Sequence, residues 1–158
     1  MELILDAVCQ ALETVGLRAV RRFPERNLDR TQSVVCVSMK DGKVETSGFG
    51  QYLGVSRDSS GQERELYGWK CQAEVLMELY FPVGAERETL FRQVGQAMEA
   101  LPAGLRPTRI TRGDAEPDRA SGMMRCPCTL RCTTYMTRKE NETGQQWLEF
   151  VLRGDVKA

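Results

Sequence analysis

The longest periodic stretch of the chain runs from Leu66 to Pro82. One parity reads Tyr67, Trp69, Cys71, Ala73, Val75, Met77, Leu79 and Phe81, apolar at every step. The other reads Gly68, Lys70, Gln72, Glu74, Leu76, Glu78 and Tyr80, largely polar. Side chains on a strand alternate between faces, so the pattern predicts a strand with one buried and one wetter face. At about 3.3 Å per residue it spans roughly 50 Å, where a usual strand has about 5–6 residues. Such a strand is expected to reach past its own core.

Upstream, Ile4, Ala7, Val8, Ala11, Leu12 and Val15 recur at helical spacing, predicting a helix over 2–15 closed by a left-handed cap at Gly16. Leu17 to Phe23 reads as a short strand stopped by Pro24, and Glu25 to Arg30 as a loop. Ser33 to Met39 is β-branched and strand-like. Asp41-Gly42 then suits a tight hairpin turn, with a return strand over Lys43–Leu53 bent at Gly48 and Gly50. Val55 to Glu65 is polar and predicts a flexible loop before the long strand.

Downstream, Leu90, Val94, Ala97, Met98 and Leu101 form the apolar stripe of a second helix over 85–101. A short strand at Thr108–Arg112 precedes a second flexible loop, 113–122. Met123 to Thr137 alternates again, Arg138 to Gly144 reads as a turn, and Gln145 to Arg153 as the closing strand. The resulting order is α-β-β-β-β-α-β-β-β. It predicts an α+β fold, a mainly antiparallel twisted sheet with both amphipathic helices on one face.

The 158 residues suit a single domain spanning 1–158, and 22 basic residues balance 22 acidic ones. A neutral chain offers no electrostatic case for direct nucleic-acid recognition. No apolar run approaches the roughly 18–20 residues of a membrane span, so no membrane partner is expected. The acidic N-terminus is unlike a signal peptide, which places the chain inside the cell as made. Histidine is absent, which removes the commonest general base and a common zinc ligand.

Cys126, Cys128 and Cys132 are the sharpest chemical candidates. A tetrahedral zinc site wants a fourth ligand, and all three cysteines share the parity of Met124, Leu130 and Met136. They read as core residues. Gly48-Phe49-Gly50-Gln51-Tyr52-Leu53-Gly54 misses the phosphate-binding glycine spacing by one position, and no helix follows it. Asp114, Glu116 and Asp118 lack the frame of a calcium loop. Arg18, Arg21, Arg22, Arg26 and Arg30 read as salt-bridge donors. No nucleophile has a base other than a carboxylate or lysine to work with. The expectation is therefore a non-enzyme without metal or cofactor.

Three stretches carry a family likeness: Ser47-Gly48-Phe49-Gly50-Gln51-Tyr52-Leu53-Gly54 leading to Glu65-Leu66-Tyr67-Gly68; the long strand closing on Leu79-Tyr80-Phe81-Pro82; and Ile110-Thr111-Arg112-Gly113-Asp114 followed later by Trp147-Leu148-Glu149-Phe150-Val151-Leu152-Arg153-Gly154. With them the chain resembles the tail terminator (tail completion) proteins of long-tailed bacteriophages and prophages. The resemblance implies a structural virion protein, made in the bacterial host cytoplasm. It implies self-association into a ring, typically a hexamer, between the tail-tube protein and the head-tail connector protein. It supplies no catalytic residues. For contacts with sister copies or partners, the two loops nominate Arg57, Asp58, Glu63, Arg64, Asp114, Glu116, Asp118 and Arg119. The competing expectation is a small-ligand or peptide-binding α+β domain without catalysis, its pocket lined by Tyr67, Trp69, Tyr135 and Trp147.

Overall fold

The computed structural model describes residues 1–23, 29–57, 59–140 and 146–150, the final strand pair beyond residue 137 by its backbone. Helix α1 (Glu2–Thr14) buries Ile4, Leu5, Ala7, Val8, Ala11 and Leu12. It ends at Gly16, where φ is +81°. The Gly16 and Leu17 amides donate to the Glu13 and Leu12 carbonyls at 3.0 and 3.1 Å. Those two bonds are the Schellman closure a left-handed glycine permits. Strand β1 (Arg18–Val20) follows, and its neighbour Arg21 bridges back to Glu2 and Asp6 of α1 at 2.7 and 3.1 Å.

The remaining elements are β2 (Val34–Thr46), β3 (Tyr52–Arg57), β4 (Glu63–Phe81), α2 (Arg87–Glu99), β5 (Arg106–Arg112), β6 (Glu116–Asp118), β7 (Met123–Glu140) and β8 (Gln146–Phe150). The fold is α+β, and the predicted order is present with one added three-residue strand, β6. Among the described residues one sheet runs β1-β2-β4-β7-β5, with β3 on β4 and β6 and β8 on β7. Among the described residues only β1 and β2 pair in parallel, and every other pair is antiparallel.

Two expectations are corrected here. Asp41-Gly42 makes no hairpin: β2 continues through it, with a register shift between Met39 and Asp41, and pairs along β4 from Tyr80 to Trp69. The bulge absorbs the turn-prone dipeptide because both of its flanks find partners on the same long strand. The segment 55–65 is not a long loop, since Arg57 pairs with Glu63 and only 58–62 separate β3 from β4. The bend predicted at Gly48 and Gly50 is present. Gly48, Gly50 and Gln51 all have positive φ, between 57° and 69°, in the turn between β2 and β3.

Both helices pack on one face of the sheet. Their apolar stripes meet Val35 and Val37 of β2, Ala73 to Phe81 of β4, and Cys126 to Cys132 of β7. Arg112 of β5 clasps α2 from the side, 4.4 Å from the Phe91 ring centroid and 3.4 Å from the Glu88 carboxylate. On the opposite face a small cluster of Cys36, Tyr80 and Met123, with Val20 and Phe23, seals the end of the sheet nearest β1.

Candidate assembly surface

The main core uses only part of its two longest strands. Strand β4 has 19 residues, roughly 63 Å of chain at about 3.3 Å each. Its core members begin at Ala73, so Glu63 to Gln72 contribute nothing to the helix-covered cluster. Strand β7 has 18 residues, and its core members end at Cys132. Half of the central pair is therefore an arm projecting beyond the helices, edged by the far end of β2 and by β3. The Met1 side chain marks the boundary, since a Cβ on Gly42 would strike it.

Cys71 and Thr134, a helix-side pair at the start of this arm, are still buried, but other apolar residues of the same parity along it are exposed. Val44, opposite Cys71, is 49% exposed. Tyr52 and Tyr67 face each other across β3 and β4, their rings edge-on at 5.7 Å and each about two-fifths exposed. The Tyr67 hydroxyl donates to Glu65 at 2.6 Å, which pushes its pKa up because the carboxylate holds the proton in place. Phe49, lifted out by the positive-φ turn, is fully exposed at 102%. Thus Tyr67, expected in the buried face, belongs instead to an exposed surface with Tyr52 and Val55, which share its face across β3 and β4, and Phe49 stands exposed in the turn that leads into β3. A soluble monomer rarely leaves such residues grouped without use.

A close approach pins the middle of the arm. A Cβ on Gly68 would collide with the Met136 carbonyl of β7 and touch Leu53 of β3. Only glycine lets the β4 and β7 backbones meet there beneath the Leu53 side chain. The sequence signal for this surface was the length of the apolar parity itself; what it lacked was any mark of where the helices stop.

The nominated contact residues fall at two separate places. Arg57 and Glu63 pair at 2.7 Å across the β3–β4 turn, and Arg64 sits opposite Ser56 beside them. Asp58 lies outside the described residues. Asp114, Glu116 and Asp118 line a groove of about 220 Å³ with Pro117, Arg125 and Pro127, and Arg119 is exposed in the turn after β6. The 113–122 segment is thus tied to the sheet edge, with Glu116 opposite Arg125 and Gly113 donating to Pro127 at 2.8 Å. Asp118 accepts the Ser121 amide at 2.9 Å, and its hydrogen bonds from Ser121 lower its pKa. Sequence reasoning passed over the arginines of β5, whose seven residues are all exposed.

The three clustered cysteines face the core. Cys128 and Cys132 have pKa values pushed up to about 12 and about 11 by burial, with Cys126 also raised. Their thiols stay protonated at neutral pH. Cys126 donates to the Gly113 carbonyl at 3.3 Å, which ties the β5–β6 link to the core. The aromatic residues of the ligand-pocket alternative do not converge. Tyr135 sits opposite Lys70, on the face away from that of Tyr67 and Trp69, and the Trp147 side chain lies outside the described residues.

No family model matches the sequence, and no curated protein matches it either.

Proposed function

We propose that this chain is a structural assembly protein that acts as a phage tail terminator. Copies join through their arms into a closed ring, typically a hexamer in that family, that caps the tail tube and presents a surface to the head-tail connector protein. The supporting observation is the arm. Half of the central strand pair does no work in the protomer's main core, yet Tyr52, Val55 and Tyr67 share an exposed face along it and Phe49 is fully exposed in the adjoining turn. A ring is a heterologous, closed assembly in which one such element meets a different surface of its neighbour. Edge strands and projecting hairpins are common donors of that contact. The grooves on the outer face of the sheet are consistent with it. Two grooves of about 190 and 220 Å³ are smaller than the roughly 300–1,000 Å³ usual for a small-molecule site.

Negative-stain imaging of the purified protein, alone and after mixing with tail tubes, tests the reading. Annular particles that sit on one tube end and halt its growth are expected. Uniform small particles that leave tube length unchanged would overturn it.

A further inference from the structure

The sheet face turned away from the helices carries a second surface, built from charge. Along β7 its outward residues run Arg125, Pro127, Thr129 and Arg131. Around Arg125 and Pro127 lie the carboxylates of Asp114, Glu116 and Asp118. Arg125 offsets them only in part, because its guanidinium is also paired with Glu78 of β4, which leaves four carboxylates around one cation. Around Thr129 and Arg131 the composition inverts. Lys40, Arg109 and Arg131 surround a single carboxylate, Glu74, in a groove of about 190 Å³ that also shows Thr111 and Thr129. Glu74 is held by Arg131 and by Lys40 at 3.5 Å, while Arg109 has no partner among the described residues. Arg106, opposite Thr133, extends the basic half on the same face.

An acidic half and a basic half thus lie end to end along one strand. A two-fold axis lying in the plane of contact and crossing β7 at right angles between Pro127 and Thr129 exchanges the two halves. It also keeps β5 and β6 on the same side, so Glu116 of one copy comes over Arg109 of the other and Asp118 over Arg106, twice per pair. That self-complementarity is the signature of an isologous contact. We infer that this face pairs two copies of the chain through reciprocal contacts between the acidic β5–β6 segment and the arginines of β5. The contact is polar and rim-like, so salt weakens it. It uses the outer face and none of the arm's apolar residues, so it stands apart from the ring contact.

The test mixes two single variants, Arg109→Cys and Glu116→Cys, under mild oxidation. Both positions are exposed, and the native clustered thiols are buried. A covalent dimer should form in the mixture, at least about tenfold above either variant alone, and should fade as salt rises to about 0.5 M. In the unmodified background, Arg109→Glu or Glu116→Arg should each weaken pairing by about tenfold in sedimentation equilibrium, and the double reversal should restore it. A mixture that crosslinks no better than its components overturns the inference, as does a double reversal no better than the singles. Rings without the trapped pair would leave the terminator reading standing, and a trapped pair without rings would do the reverse.

Discussion

Phe49 offers the sharpest separation between folding and assembly. Its side chain is wholly exposed, so Phe49→Asp removes nothing from the protomer's core. Surface changes of this kind usually alter stability by no more than about 0.5 kcal/mol. At a ring contact the account is different. A phenylalanine can bury about 150–250 Å², worth roughly 4–6 kcal/mol at about 25 cal/mol per Å². Ordering costs leave hot-spot residues with a net effect of about 2–4 kcal/mol. An aspartate there should therefore raise the half-assembly concentration by at least about 30-fold, since about 1.4 kcal/mol is a factor of ten. Light scattering across a dilution series reads the assembly, and urea unfolding reads the protomer. Superimposable dilution curves for wild type and variant, with unfolding unchanged, would refute the assignment of this surface to assembly.

Other outcomes follow from the same geometry. Gly68→Ala should lower unfolding free energy by about 3 kcal/mol, at the upper end of overpacking costs, because its methyl group meets the Met136 carbonyl; a small shift in urea midpoint would contradict the close approach. Glu74 is depressed below its ordinary 4.5, first by its hydrogen bond from Arg131. A depressed carboxylate stabilises the fold above its unfolded pKa and loses that contribution as pH falls through the folded value. Acid titration of stability should accordingly be shallower below about pH 4.5 in Glu74→Gln, and an identical acid limb would count against the pairing. Native alkylation followed by mass spectrometry should label half-buried Cys9 first and leave Cys128 and Cys132 unmodified until the protein unfolds. Prompt labelling of either clustered thiol would contradict its core placement.

The sheet and both helices were legible because period and burial agreed: the alternation of Ala73 to Phe81, the cysteine parity of β7, and the stripes of α1 and α2 all mark faces in contact with one core. The hairpin at Asp41-Gly42 misled because a local turn preference was set against pairing that only the whole sheet supplies. A strand of 19 residues needs partners along its length, and the unbroken β2 is one of them. Strand β6 was invisible for the converse reason. Glu116-Pro117-Asp118 has no strand propensity and is extended only because β7 offers it an edge. Of the candidate surface, the long apolar parity was visible, but its exposure was not. Nothing in Tyr67 or Val44 distinguishes a residue under a helix from one beyond its end. The basic half of the outer face escaped notice because Lys40, Arg109 and Arg131 come from three strands and meet only across the register.

The central claim, that the arm exists to hold sister copies, is met most directly by native mass spectrometry of the purified chain over a wide range of concentration. The account predicts one discrete closed oligomer that gives way to protomers on dilution and is lost in Phe49→Asp. A protomer mass at every concentration would contradict it.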